Sequence, residues 1–209
     1  AQSRGALGEL AGPLNIGIIP TIAPYLLPGV LIGIEENYPD LEPRIVENQT
    51  DQLLQMLRDG QLDLAVLATP THAPGLEQLP LYDEPFVAVT NPDDPLAGRT
   101  DLGLDSLKDL NLLLLDDGHC LRDQIVELCK IAEATPGARK HAVTRASSLT
   151  TIVQLVVAGL GSTLIPASAV GTECSRPGVA SATFANGVQA QRTVSSVSYT
   201  HLTLPTTPY

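Results

Sequence analysis

Two cysteines with polar and charged neighbours are the residues of this chain best able to do chemistry. Cys120 lies in the segment GHCLRDQ at positions 118–124, and Cys129 follows nine residues later. Thiolate is the reactive form of cysteine, and cationic neighbours favour it. Because His119 and Arg122 flank Cys120, we expect a reactive thiolate there. A second thiol can convert an oxidised sulfur into a disulfide, so the pair predicts a redox device.

The spacing of the two cysteines sharpens this prediction. On one continuous helix, nine residues rise ~13 Å and turn about two and a half times, which puts the thiols on opposite faces. A disulfide needs Cα atoms roughly 4.4–6.8 Å apart. If residues 120–129 are helical, the bond forms only after local unfolding, and oxidation changes the shape of the domain. In the reduced chain we expect Cys129 to pack among apolar neighbours, namely Ile125, Val126, Leu128 and Ile131.

Burial as a small apolar side chain is the alternative for both residues, since unpaired cysteine is among the most buried residue types. We assign that role to Cys174, which has no partner cysteine at a useful spacing. The chain lacks C-x-x-C and H-x-x-x-H patterns, so we expect no zinc site. It also lacks the G-x-S-x-G motif of hydrolases and a dinucleotide-binding fingerprint.

Composition bounds the class of protein. The 209 residues suit one domain of two lobes or two small domains, and 44% of them are hydrophobic, enough to build a core. The net charge is −11, and Lys and Arg form no cluster, so the chain alone should not hold DNA. No apolar run approaches the ~18 residues of a membrane span. Without a secretory signal, and with an odd number of cysteines, we expect a cytoplasmic protein.

Alternating strands and helices should position the reactive residues. In the first half we predict strands at 14–19, 44–47 and 62–67, with helices from Pro20-Thr21 to about Asn37 and over 52–58. In the second half we predict strands at 86–90, 112–115, 142–144 and 162–165, and helices at 105–109 and 149–158. Such alternation predicts two α/β lobes with a mainly parallel sheet, and a crossover near residues 82–86.

Four predicted strand-to-helix junctions carry groups that could bind a ligand. They are Thr21, Thr50, the 118–120 turn and Ser147-Ser148. Ligands of open α/β sheets bind beyond the carboxyl ends of the strands, where helix N-termini offer N–H groups and partial positive charge. Simple helix capping is the alternative for Thr21, Thr50 and Ser148. Taken together, the four junctions predict one cleft.

Several segments resemble a known family. The chain is similar to the regulatory domains of LysR-type transcriptional regulators, and among them to the hydrogen peroxide sensors, in GPLNIGIIPT (12–21), ENQTDQLL (47–54), LYDEP (81–85), DGHCLRDQ (117–124) and GLGSTLIP (159–166). The resemblance covers roughly residues 11–198. It implies an α/β fold of two Rossmann-like lobes with a cleft between them, as in type II periplasmic binding proteins.

The same resemblance implies a domain organisation. Residues 1–11 would end a linker, residues 12–84 and 190–198 would form lobe I, and residues 85–189 would form lobe II with the redox cysteines. Residues 199–209 do not follow the family's charged C-terminal helix, and we expect them to be a tail added in cloning. The family's N-terminal winged helix-turn-helix is absent from this sequence, so promoter DNA would be bound only through that missing domain.

The family's mechanism implies a role for each matching residue. Cys120 would react with hydrogen peroxide to give sulfenic acid, and Cys129 would resolve it to a disulfide. The implied peroxide-binding residues are Thr21, Thr50, Gly118, His119 and Arg122. The disulfide would change a homodimer interface and the promoter contacts of a homotetrameric activator of the oxidative stress response, and thiol reductants would reset it. No cofactor or metal is implied.

Two other functions stay open at this point, because fold does not fix function. One is an effector-binding domain for a small organic ligand, with cysteines that play no part. The other is a thiol peroxidase, which would do the same chemistry at Cys120 but turn over with a reductant. We favour the redox-switched regulator and do not expect an enzyme.

Overall fold

The computed structural model describes residues 11–69, 74–133 and 145–199. In these ranges the chain forms, in order, β1 (Gly12–Ile18), α1 (Ala23–Asn37), β2 (Leu41–Glu47), α2 (Thr50–Arg58), β3 (Leu64–Thr69), β4 (Leu76–Thr90), a 3-10 helix (Leu104–Lys108), β5 (Leu114–Leu115), α3 (Cys120–Ile131), β6 (Arg145–Ala146), α4 (Leu149–Val157), β7 (Thr163–Pro166), α5 (Ala167–Glu173), β8 (Ala180–Thr183) and β9 (Gln191–Tyr199).

The chain divides into two compact units. The first unit comprises Ala1–Leu81 and Val194–Tyr209, and the second comprises Tyr82–Thr193. The strands β4 and β9 each contribute residues to both units. The division falls a few residues from the lobe boundaries that the sequence predicts.

Parallel strands form the centre of the first unit. β1 pairs in parallel with β2 on one side and with β3 on the other. The helix α2 is amphipathic and buries Leu53, Leu54 and Leu57, and it packs against β3. Gly60 has a φ of +68°, a conformation that glycine adopts without strain, and it ends this helix. The predicted strand–helix–strand order of this region is confirmed.

The second unit contains both parallel and antiparallel pairs. β4 pairs antiparallel with β7 and with β8, whereas the short strands β5 and β6 pair in parallel. The helix α3 packs against β5 and against the 3-10 helix. The predicted α/β class is confirmed, but the sheet is mixed rather than mainly parallel.

Several element boundaries differ from the sequence-based expectation. The strand predicted at 86–90 is the end of β4, which begins at Leu76 and runs through the predicted crossover region. The first helix begins at Ala23 rather than at Thr21, because Ala23 and Ile22 both donate backbone hydrogen bonds to the carbonyl of Ile19 in a preceding turn. Pro24 then suits the first helical turn, where its missing N–H costs nothing.

Other elements were missed or lie outside the described residues. The helix α5 and the strands β8 and β9 are not predicted by the sequence patterns. Tyr199 is the last residue of β9, so this strand includes the first residue of the predicted tail. The strand predicted at 142–144 lies outside the described residues. Among the helices of the described ranges, none has the length and apolar character that a membrane crossing requires.

Candidate functional site

A tight turn after β5 brings the chain to the first cysteine. Asp116 to His119 connect β5 to α3, and Gly118 adopts a φ of +92°, which few other residue types tolerate. His119 is the N-cap residue of α3, and Cys120 is its first helical residue. The backbone N–H of Arg122 donates to the carbonyl of His119 at 2.9 Å and closes the first turn. The local sequence therefore sets Cys120 at a helix N-terminus.

Both cysteines lie on this one helix. α3 runs without a break over the twelve residues Cys120–Ile131, so Cys120 and Cys129 are separated by ~13 Å along its axis. Neither residue is in a disulfide. Residues 120–129 are therefore helical, which is the condition under which we expect local unfolding. A bond between the two sulfurs requires that part of α3 unwind.

The surroundings of Cys129 are apolar. Cys129 is fully buried, and Ile125 and Leu128 of the same helix are buried with it. The prediction that Ile131 joins this packing is wrong, because its side chain is 62% exposed at the end of α3. Burial raises the pKa of the Cys129 thiol. Cys129 is therefore held as a protonated thiol, whereas Cys120 is only partly buried.

His119 does not provide the positive charge that the sequence predicts. His119 is only 6% exposed. Burial lowers the pKa of its imidazole, and the nearby Asp116 carboxylate raises it by a smaller amount. Near neutral pH the ring is therefore mainly neutral. A neutral imidazole can donate one hydrogen bond and accept another, so it can handle a proton but does not attract a thiolate as a cation would.

Arg122 is also not a free cation beside Cys120. Its guanidinium lies 3.1 Å from a carboxylate oxygen of Asp117 and 3.9 Å from one of Asp123. Its buried Nε atom has no hydrogen-bond partner. The prediction of a cationic pair flanking the thiol is therefore corrected. Cys120 instead lies at the N-terminus of α3, the end of a helix that carries partial positive charge.

The two predicted threonines lie at one edge of the sheet in the first unit. Ile18 of β1 pairs with Glu47 of β2 in parallel register, and the chain leaves both strands toward Thr21 and Thr50 on the same side. Thr21 is buried in the turn before α1. Thr50 begins α2, and its buried hydroxyl has no hydrogen-bond partner.

Helix capping does not account for these threonines. The N-cap residues of α1 and α2 are Ile22 and Gln49, and neither makes a side-chain capping bond. By contrast, Ser148 is the N-cap of α4 and accepts a hydrogen bond from the backbone N–H of Thr151 at 3.2 Å. The capping alternative therefore holds for Ser148, whereas neither Thr21 nor Thr50 is the N-cap residue of its helix.

The predicted residues form two groups, one in each unit. Thr21 and Thr50 belong to the first unit, and the turn that carries Gly118, His119, Cys120 and Arg122 belongs to the second. A peroxide site shared by the two groups stays a prediction.

Gln124 is a candidate that the sequence analysis did not select. It lies four residues after Cys120 on α3, and this spacing puts the two side chains on the same face of the helix. Its buried Oε1 atom has no hydrogen-bond partner. An unsatisfied buried acceptor is costly unless a ligand uses it. The i, i+4 spacing from the cysteine is the signal that could have identified it.

Cys174 stands apart from these residues. It follows α5, where burial and the charge of Glu173 raise the pKa of its thiol. Within the ranges that the structure describes, no group of His, Cys, Asp and Glu is suited to hold a metal ion.

Comparison with known proteins gives a consistent result. The family model of the LysR substrate binding domain matches residues 7–203. A probable hydrogen peroxide-inducible genes activator of Mycobacterium avium is 48% identical over 186 residues, which cover 88% of this chain and 58% of that protein. The DNA-binding transcriptional dual regulator OxyR of Escherichia coli K12 is 42% identical over 170 residues, covering 81% of this chain and 54% of that protein.

Solved structures of OxyR proteins are also similar. A peroxide-bound cysteine-to-serine mutant of Corynebacterium glutamicum OxyR shares 58% identity with a TM-score of 0.88, covering 92% of this chain and 60% of that one. The oxidised form from the same organism shares 58% identity with a TM-score of 0.79, covering 93% of this chain and 60% of that one. This chain thus spans about 58% of the length of the first relative above.

Proposed function

The chain belongs to the LysR substrate-binding domain family, and from that premise we propose that it is the regulatory domain of a hydrogen peroxide-sensing transcriptional regulator. One observation carries the proposal: a partly exposed thiol begins α3, and a buried thiol lies nine residues later on the same helix. The similarity to OxyR proteins solved in peroxide-bound and oxidised forms supports it.

The first step oxidises Cys120. Its thiolate attacks one oxygen of hydrogen peroxide, the O–O bond breaks, and sulfur loses two electrons as the sulfenic acid forms. The other oxygen leaves as hydroxide and takes up a proton to become water. The N-terminus of α3 favours the thiolate, and the neutral imidazole of His119 can pass the proton to the leaving oxygen.

Hydrogen bonds to the peroxide orient its O–O bond for attack. In the second unit, the buried Oε1 of Gln124 lacks a hydrogen-bond partner and would accept a hydrogen bond from peroxide. The hydroxyls of Thr21 and Thr50, which the resemblance assigns to peroxide binding, belong to the first unit. Gly118 gives the chain room to turn toward the ligand, and Arg122 acts on the turn rather than on peroxide.

The second step joins the two sulfurs. Cys129 loses its proton and its sulfur attacks the sulfur of Cys120. The S–S bond forms, the S–O bond breaks, and the leaving hydroxide takes up a proton and departs as water. Part of α3 must unwind first, which exposes side chains such as Ile125 and Leu128 at ~1.5–3 kcal/mol each. This cost makes the disulfide easier to reduce than an unstrained one. Cellular thiols can then reverse the switch.

The output of the switch is a change in self-association. Of the residues of α1, only Ala23 is buried, while the apolar Leu31 and Ile32 are exposed. We assign this helix to a homodimer interface. In the longer protein the dimer would contribute to a tetramer in the cytoplasm, and the DNA-binding segment beyond this chain would contact promoters. Light scattering of the reduced and oxidised chain tests the dimer.

Peroxide titration tests the proposal. One equivalent of hydrogen peroxide should give a single disulfide, identified by peptide mass spectrometry as Cys120–Cys129, with no further peroxide consumed. An effector-binding domain with inert cysteines would form no such bond. With a thiol reductant present, a thiol peroxidase would consume peroxide in rapid, sustained turnover, whereas the proposed switch would react again only as fast as the reductant resets it. Such sustained turnover, or the absence of the disulfide, would contradict the proposal.

A further inference from the structure

We propose that Asp117 is a positioning residue, which acts through Arg122 to hold the Cys120 turn in its helical form and so controls how fast the disulfide closes. The inference rests on the proposed Cys120–Cys129 switch, and it assigns a role to a carboxylate that takes no part in binding peroxide.

Two contacts close the same short loop. The guanidinium of Arg122 lies 3.1 Å from the carboxylate of Asp117, and the backbone N–H of Arg122 donates to His119 at 2.9 Å. Asp117 precedes the Gly118 turn, whereas Arg122 is the third residue of α3. Both contacts therefore span Cys120 and join Arg122 to the turn before α3. A movement of Cys120 away from the helix axis would weaken both contacts.

The Asp117–Arg122 ion pair is strong enough to change the rate of disulfide formation and weak enough to break. The side chain of Arg122 is 23% exposed and that of Asp117 is 68% exposed, so solvent weakens their attraction. The pair can thus break during each switching cycle. Its strength corresponds to a factor of up to about five in an equilibrium or rate constant, large enough to measure and small enough to be reversible.

The two chemical steps respond differently to this ion pair. Attack on peroxide occurs with Cys120 in place at the start of α3, so the ion pair stays intact. Bond formation with Cys129 requires that the first turns of α3 unwind, which carries Arg122 away from Asp117. The Asp117–Arg122 ion pair therefore slows disulfide formation and leaves the rate of Cys120 oxidation unchanged.

Asp123 provides a matched control. Its carboxylate lies 3.9 Å from the same guanidinium, but it belongs to α3 and is a direct neighbour of Arg122 in sequence. It spans no part of the loop that carries Cys120. Asp117→Asn and Asp123→Asn change the net charge equally, and only the first removes the ion pair across the turn.

Rapid-mixing kinetics of the 209-residue chain separate the two steps, because sulfenic acid formation depends on peroxide concentration and disulfide formation does not. Asp117→Asn should raise the rate of the concentration-independent phase about two- to fivefold and leave the other phase unchanged. Asp123→Asn should leave both phases close to wild type. High salt should speed the second phase in the wild-type chain but not in Asp117→Asn.

Three results would overturn the inference. One is an equal change in both variants, and another is a change confined to the peroxide-dependent phase. The third is a second phase that Asp117→Asn leaves at the wild-type rate. In each of these cases the wild-type chain still forms the 120–129 disulfide, so the proposed function survives. If the wild-type chain forms no such disulfide, the proposed function and this inference fail together.

Discussion

Glu84 of β4 and Arg192 of β9 form a buried ion pair. The Nε and one terminal nitrogen of Arg192 each lie 2.8 Å from the same carboxylate oxygen of Glu84. The other oxygen accepts the backbone N–H of Ser168 in α5 at 2.9 Å. The two side chains are 4% and 0% exposed. The pair therefore links residues of β4, β9 and α5 that all lie in the second unit.

Removing one partner of this pair should destabilise the chain strongly. Glu84→Gln removes the carboxylate that pairs with the buried Arg192 guanidinium, and the free energy of unfolding should fall by about 3–5 kcal/mol. Urea denaturation measures the change. Asp101→Asn serves as the control, because Asp101 pairs with Arg99 on the exposed surface, and this variant should differ little from wild type. Equal losses in the two variants would contradict the account.

The two cysteine variants should stop the reaction at different points. Cys120→Ser should form no disulfide with peroxide, because the remaining thiols of Cys129 and Cys174 have pKa values raised by burial. Cys129→Ser should still oxidise at Cys120 and accumulate sulfenic acid, which a sulfenate-selective reagent would trap for mass spectrometry. Oxidation of Cys120→Ser at the wild-type rate would show that the nucleophile is misassigned.

Thr50→Val should make the chain more stable and less reactive. The variant removes a buried hydroxyl that has no partner, so the free energy of unfolding should rise by up to about 1 kcal/mol. The second-order rate constant with peroxide should fall about two- to tenfold, as expected for one lost hydrogen bond. Alkylation of Cys120 by iodoacetamide should be unchanged.

Thr90→Val is the matched control for that variant. The Thr90 hydroxyl is also buried without a partner, but it lies at the end of β4, on a different element from every predicted peroxide-binding residue. Its replacement should raise stability without changing the peroxide rate. If both variants slow the reaction alike, the effect of Thr50 is not local.

Acid should destabilise the chain through His119. Burial lowers the pKa of this imidazole in the folded chain, so the unfolded chain takes up the proton at a higher pH than the folded chain does. As the pH falls below the ordinary histidine value of about 6.5, the unfolded state gains this stabilisation and the free energy of unfolding decreases. Measured by urea denaturation, the free energy of unfolding should fall less between pH 7.5 and 5.5 in His119→Asn than in the wild-type chain. An equal fall in both chains would contradict the assignment.

Local patterns in the sequence account for much of the fold. The alternation of apolar strands and amphipathic helices predicted the parallel arrangement of β1, β2 and β3, because each segment is short and bounded by turn residues. β4 was underestimated, since only its second part is apolar and buried while residues 79–83 are exposed. The exposed first half of β4 is a strand because it pairs with a neighbouring strand, and its sequence lacks the alternation of apolar and polar residues that would predict one.

The candidate site shows the same division between local and tertiary information. The cysteine spacing, a local property, correctly predicted two thiols that cannot bond on one helix. The sequence analysis took His119 and Arg122 as a cationic pair beside the thiol. In the fold, burial lowers the pKa of His119, and the Arg122 guanidinium faces the Asp117 carboxylate. Thr50 was predicted from its strand-to-helix junction, and the spacing from Cys120 could have identified Gln124. Only the folded structure shows that their buried oxygen atoms lack hydrogen-bond partners.

Hydrogen exchange along α3 tests the central claim most directly. The backbone N–H groups of residues 124–129 should be protected in the reduced chain, lose that protection after one equivalent of peroxide, and regain it when a thiol reductant is added. Cys129→Ser should keep its protection after the same treatment, because sulfenic acid alone does not unwind the helix. A Cys120–Cys129 disulfide that forms while α3 stays fully protected would contradict the proposed switch.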